Sequence, residues 1–296
     1  MYSEVSFRTL GGEIDSGHSG PMSEGTETTV VRRAVQVDGE RASYLTAGRQ
    51  DGRPVLLLHG TYWSRVWLPV LDHLADAGLR PVAVDLPGLG RSGGELGPAT
   101  AAVPALADWV TRFASALDLS GPIALAGHDI GGAIAQHLLA HDGIGVSRLA
   151  LVNSVLYDSW PAPHVGSFRG ATTTEGVLDN RRQAVARVLA GVATEQLIAD
   201  YADPWTDARV RRSWVALAGA ADNRYTLDLV PALRRSGTPK LLIWGENDLH
   251  ETVEFAERFA LEIPNTTLIR IPHADHIPTE NAPDRIGRAL GGFFAA

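Results

Sequence analysis

The sequence predicts an α/β fold, a mostly parallel sheet flanked by helices, with a helical lid inserted late in the chain. Three observations carry this. Short apolar runs alternate with stretches of helical spacing, the pattern of strands buried on both faces and joined by crossover helices. Between about residues 154 and 229 that alternation stops and no central strand is readable. Residues 122–139 read as a buried strand, a glycine-rich turn and a helix in immediate succession.

In chain order, residues 29–37 and 41–46 form two strands joined at Asp38-Gly39, a hairpin signal. Residues 55–58 are a continuous apolar strand, 66–77 have helical spacing, and 81–84 form the next strand. A helix over 101–117 leads to the strand at 122–126, and 148–152 is another buried strand. Short helices at 180–189, 194–201 and 207–217 then make up the lid. The regular pattern returns with a strand at 240–244, a helix over 252–261, a strand at 267–271 and a last helix from Asp284. The expected organisation is therefore a core of residues 29–153 and 230–296 with a cap of residues 154–229. Residues 1–28, rich in Gly, Ser, Glu and Thr and without the apolar centre of a secretory signal, read as a disordered extension.

Composition narrows the function. The 296 residues are 45% hydrophobic and 20% charged, enough for a sizeable core. A net charge of −8 with no basic block argues against a nucleic-acid partner. The absence of cysteine excludes disulfides and thiolate metal sites and is compatible with a cytoplasmic location. No apolar run approaches the ~18–20 residues that span a bilayer, so no membrane partner is expected. The oligomeric state stays open, a homodimer included.

Chemistry concentrates in three places. Gly127-His128-Asp129-Ile130-Gly131-Gly132 places an aspartate in a strand–turn–helix, the context of a nucleophile elbow. A carboxylate there opens an sp3 carbon by forming an ester; on an acyl group it would give an anhydride, a poor route to hydrolysis. Gly245-Glu246-Asn247-Asp248 and His273-Ala274-Asp275-His276-Ile277-Pro278 follow, each just after a predicted strand. Nucleophile, acid and histidine in this order resemble the α/β-hydrolase superfamily, in its Asp-nucleophile branch, over nearly everything from Thr29 onward.

The resemblance implies roles. His276 is the base, with His273 too close to the strand end, and Asp248 orients it. Some relatives place the acid after the strand that follows the elbow; Asn153 stands there and carries no charge, which favours Asp248. The backbone amides of Thr61 and Ile130 form the oxyanion hole. Two departures argue against dehalogenation. Ile130 replaces the tryptophan that helps cradle halide, and Gly131, Gly132 and Ala133 stand where fluoroacetate dehalogenases carry arginines. The reading is then an epoxide-hydrolase-like enzyme, in which the lid residue Tyr225 hydrogen-bonds the ring oxygen of a hydrophobic small-molecule epoxide. Tyr157 and Tyr201 are secondary candidates for a partner donor, and Trp160 or Trp205 is expected to line an apolar pocket. Tyr62 replaces the proline that epoxide hydrolases usually carry after His-Gly, so the loop with Tyr62 and Trp63 is expected to shape the substrate site differently. No metal or organic cofactor is required. The alternatives are a dehalogenase of the same branch, or a biosynthetic esterase, lyase or cyclase using Asp129 without a covalent ester.

Overall fold

The computed structural model describes residues 29–296 apart from 120, 142, 163, 164, 166, 167, 170, 172 and 190. The extension at 1–28 lies outside the described residues.

Eight strands form one sheet in the order β1-β2-β4-β3-β5-β6-β7-β8. They are β1 (Val31–Val37), β2 (Glu40–Thr46), β3 (Arg53–Leu58), β4 (Leu79–Val84), β5 (Ile123–Asp129), β6 (Val146–Ser154), β7 (Lys240–Gly245) and β8 (Thr266–Ile271). Only the β1–β2 and β2–β4 pairs are antiparallel. The β1–β2 turn uses Asp38 at φ 54° and Gly39 at φ 82°, the paired left-handed conformations that match hairpin twist. Every residue of β5 is buried, as a strand covered on both faces must be.

Helices cover the sheet in two groups, Leu71–Asp76 packing with Pro283–Ala295 and Val103–Ala116 with Ile130–His141. The β3-to-β4 and β4-to-β5 crossovers step in opposite directions, so right-handed connections put their helices on opposite faces. Where the spacing predicts one helix over 66–77, the chain forms a 3-10 stretch, Ser64–Val70, and then the short helix Leu71–Asp76. Pro69 inside the first segment lacks an N–H and interrupts a continuous helix.

Between β6 and β7 the α-helices among the described residues are Val177–Val188, Glu195–Ala202, Ala208–Gly219, Arg224–Leu227 and Val230–Arg235. Side-chain caps start two of them. Thr194 Oγ1 accepts from Leu197 N at 3.1 Å, and Asp207 Oδ1 accepts from Arg209 N at 2.8 Å. This helical segment is tied to the connections that follow β3 and β4 by specific bonds. Trp63 Nε1 donates to Tyr201 O, Leu96 N donates to Ser213 Oγ, and Arg65 pairs with both Asp200 and Glu280. The Tyr201 hydroxyl donates to the same Glu280 carboxylate at 2.8 Å. No helix among the described residues is long and apolar enough to cross a membrane.

Candidate active site

Asp129 ends β5 with φ 54°, a left-handed conformation that a non-glycine residue adopts under strain and that thrusts its side chain out of the turn. The turn closes this tightly because its neighbours lack Cβ atoms. A Cβ on Gly132 would lie 1.4 Å from Ser154 Oγ, and one on Gly60 would lie 2.5 Å from Ile130 N and 2.6 Å from Asp129 Cγ. Gly60 therefore lets the next residue approach the carboxylate. Thr61 N donates to Asp129 Oδ2 at 2.8 Å and Thr61 Oγ1 donates to the same oxygen at 2.7 Å. Ile130 opens the following helix, so its amide is among the first-turn donors without a helical acceptor. One carboxylate oxygen is thus held by both donors of Thr61.

His276 Nε2 lies 4.0 Å from Asp129 Oδ2, and its Nδ1 lies 2.9 Å from Asp248 Oδ2. A carboxylate only accepts, so Nδ1 carries a proton and donates it to Asp248. Asp248 is itself held on every side. Its Oδ1 accepts from His250 N at 2.8 Å and Glu251 N at 3.1 Å, and its Oδ2 accepts from Asn153 Nδ2 at 2.7 Å. Asn153 also accepts from Gly245 N at 2.8 Å, so the amide at the alternative acid position braces the acid that β7 supplies. Burial alone would raise the Asp248 carboxyl, but the charge and hydrogen bond of His276 and the Asn153 bond bring it down to about 2. Burial likewise opposes charge on His276, yet Asp248 and then Asp129 outweigh it and push the imidazole up to about 9. His128 packs 4.9 Å from the His276 ring, centroid to centroid; burial and the charge of His276 lower it to about 4. Neutral at ordinary pH, His128 donates its Nε2–H to His276 O at 2.7 Å and fixes the loop.

These groups open onto a cavity of about 460 Å³, within the usual size of a small-molecule site. Of the residues expected from sequence, Thr61, Tyr62, Asp129, Ile130, Trp160 and His276 line it. Trp160 presents only hydrocarbon, because its Nε1 donates to Thr226 Oγ1 at 2.9 Å. Five of the expected residues lie elsewhere. Tyr225 does not line the cavity; it sits half-buried on the four-residue helix Arg224–Leu227. The Tyr157 hydroxyl donates to Glu262 at 3.4 Å with Arg258 over its ring, away from the cavity. Trp63 is buried behind the loop, its indole spent on Tyr201 O and its ring flanked by Arg32 and Arg91. Tyr201 and Trp205 also lie outside the lining, both ring-to-edge with Tyr62. His273 is exposed in its turn at φ 63°.

Sequence reasoning missed Arg181 and Glu251, which both line the cavity. Arg181 had a signal: on the helix Val177–Val188 it falls in phase with buried Val177, Ala184 and Val188, an arginine in an apolar stripe. Glu251 is three residues from the acid, and its Oε2 is buried without a hydrogen-bond partner. Burial, with the nearby Asp129 and Asp248 charges, raises its carboxyl to about 8. Among the described residues, no group of three His, Cys, Asp or Glu side chains is arranged to hold a metal ion.

The alpha/beta hydrolase family model matches residues 55–289. The chain belongs to that family. It is 29% identical to a haloalkane dehalogenase from Bradyrhizobium diazoefficiens, over 90% of this chain and 94% of the relative. It is 24% identical to an Acinetobacter baylyi (E)-2-((N-methylformamido)methylene)succinate hydrolase, over 88% and 97%. Among solved structures, a haloalkane dehalogenase from Bradyrhizobium elkani aligns with a TM-score of 0.74 and 25% identity, covering 90% of this chain and 98% of that one.

Proposed function

We propose that this hydrolase cleaves a carbon–halogen bond through a covalent aspartyl ester. The observation that carries the reading is Asp129 itself, with Oδ2 seated on the Thr61 donors and, among the described residues, no hydrogen bond on Oδ1, at the wall of a largely apolar cavity. Likeness to haloalkane dehalogenases along nine-tenths of the chain supports this leaving group over an epoxide. Asp129 Oδ1 attacks the sp3 carbon, and the halide departs with the bonding electron pair. Tyr62 is the hydrogen-bond donor for that anion: it lines the cavity, and burial raises its phenol so that it stays protonated. His276 then takes a proton from water, whose oxygen adds to Asp129 Cγ. Negative charge gathers on Oδ2, where the two Thr61 donors already stand and which the Ile130 amide would join. Collapse expels the alcohol and restores the carboxylate; halide and one proton leave to solvent.

Removal of Asp129's charge on alkylation also takes away one of the two main influences that raise His276. The imidazole that is largely protonated at rest becomes the base when the ester needs water. A panel of chlorinated and brominated alkanes with halide detection tests the leaving group. Intact mass of His276→Gln after exposure tests the ester; a persistent adduct lacking the halide is expected, and a freely turning-over variant would exclude the route.

A second reading, opening of an epoxide to a diol, is favoured by one feature. Glu251 is a buried carboxylic acid lining the cavity and neutral near pH 7, a proton source for a ring oxygen. Under that reading Glu251→Gln abolishes epoxide turnover, while halide release survives it.

A further inference from the structure

We infer that Arg181 forms a subsite for a carboxylate, so that the substrate is an organic acid whose reactive carbon reaches Asp129 while its acid end pairs with this guanidinium. The inference deepens the dehalogenase reading and rests on it for the identity of the reacting group.

Arg181 differs from the other well-buried arginines of the molecule in lacking a counterion among the described residues. The other well-buried arginines carry their counterions: Arg32 pairs with Asp85 at 2.8 Å, and Arg65 with Asp200 at 2.5 Å and Glu280 at 2.7 Å. Lys240, also buried, gives its three N–H groups to the carbonyls of Ser236, Thr238 and Pro264. Arg181 is 4% exposed, yet no described carboxylate lies within ion-pair distance of it. Burying a guanidinium without a counterion is strongly unfavourable, so a position that retains one invites an anion from outside the chain.

The contacts that Arg181 does make define what remains free. Trp214 covers its plane at 4.3 Å and Trp205 lies at 6.0 Å. On one edge, Nε and Nη2 both donate to Asn180 Oδ1, at 3.2 and 2.9 Å. A guanidinium has five N–H groups; two are used there, which leaves the Nη1 hydrogens and the second Nη2 hydrogen. That end is the fork that matches two carboxylate oxygens. Arg181 lines the same cavity as Asp129 and His276, so the fork and the nucleophile address one ligand.

Electrostatics explains why such a subsite is useful. An anionic nucleophile attacking an anionic substrate meets repulsion in a poorly screened cavity. Arg181 feels the charge of Asp129, so a cation stands within the field of both anions. Exposed Arg187, further along the same helix, also lines the cavity and extends the positive field toward its mouth. The walls between are apolar, formed by Val155, Pro161, Ala184 and Val188, which suits the hydrocarbon that links acid and reactive carbon.

The test measures binding, without turnover, on the full chain. Hexanoate, hexanamide and sodium chloride are titrated by calorimetry and by tryptophan fluorescence, for which Trp214 against Arg181 is a built-in reporter. Hexanoate is expected to bind about 10- to 100-fold tighter than hexanamide. Arg181→Gln should erase that preference while still binding hexanamide, and Arg181→Lys should keep part of it. Equal binding of the two probes by the wild type overturns the proposal, as does a preference that survives in Arg181→Gln. Arg181-dependent chloride binding without carboxylate preference would reassign the residue to the leaving halide and equally overturn it. If Arg181→Gln loses hexanamide too, Arg181→Lys decides: retained preference supports the subsite, and equal binding refutes it. Failure to detect halide release from any substrate, with hexanoate preference intact, would sink the dehalogenase reading and leave the subsite standing.

Discussion

At the scale of single residues, Asp129 Oδ2 accepts from both the amide and the hydroxyl of Thr61, and only the hydroxyl is accessible to mutation. Thr61→Val keeps the backbone donor and the shape while deleting one hydrogen bond to the developing oxyanion. Losing a whole oxyanion donor slows turnover by ~10²–10³, so with the amide retained a loss of roughly 10- to 100-fold is expected, and Thr61→Ser should restore most of it. Steady-state turnover measures this; an unchanged Thr61→Val would remove the hydroxyl from the mechanism. The ester-cleavage step makes a second prediction. His276 is raised to about 9 by Asp248 and Asp129 against the opposing effect of burial, and esterification removes the Asp129 charge. Single-turnover ester decay should therefore rise with pH and level off below pH 9; a flat profile from pH 6 to 9 would mean that His276 is not the base. Asp129, Asp248 and His276 were legible in the chain because each follows a strand within a short motif, so local order fixes their place at one end of the sheet. Arg181 and Glu251 were not, since what they face depends on how the inserted helices turn toward the loops. Tyr225 was misplaced for the same reason: its position in the chain does not determine which wall of the insertion it occupies.

Elements inherit their positions from such contacts, and the helical segment between β6 and β7 shows it. Strands were readable from apolar runs, since a strand covered on both faces cannot hide its composition. Three helices of the insertion were readable from spacing, whereas the short Arg224–Leu227 and Val230–Arg235 were not; nor was the packing, which depends in part on polar bonds between residues far apart in the chain. Arg65 is the joint. It ties Asp200 on the helix Glu195–Ala202 to Glu280, four residues beyond His276, while its guanidinium lies 5.2 Å over the Tyr201 ring. Arg65→Met keeps some of the stem but leaves two carboxylates facing each other without a cation. Removing one partner from a largely buried network costs about 3 kcal/mol. A denaturation midpoint lowered accordingly, together with a raised KM as the cavity wall loosens, is the expected result. The exposed pair Arg49–Asp51 serves as the control, and Arg49→Ala should leave both quantities unchanged. A midpoint for Arg65→Met equal to wild type would show that the insertion is held by its apolar contacts instead.

Over the whole molecule, the active site imposes a pH dependence on folding whose sign can be worked out. His276 stands at about 9 when folded against 6.5 as its ordinary value, so its contribution is complete below pH 6.5 and is lost as pH rises toward 9. Glu251 is an acid whose folded value, about 8, lies above its ordinary 4.5; the folded chain holds a proton that the unfolded chain releases, so stability falls as pH rises from 4.5 to 8. Asp248 works at the other end. Held near 2, it stabilises above pH 3.8 and loses that contribution as pH falls toward 2. The two descending limbs overlap between pH 6.5 and 8, and melting temperature should drop most steeply there. Glu251→Gln has no proton to lose and should flatten the slope from pH 5 to 8 while leaving the portion that His276 contributes up to pH 9. His276→Gln should flatten only the upper portion. Thermal melts of the three proteins across pH 5 to 9 separate these contributions, and parallel curves for wild type and Glu251→Gln would show that the Glu251 carboxyl is already ionised in the folded chain. That outcome would remove the proton source on which epoxide opening depends and leave carbon–halogen cleavage, which needs none.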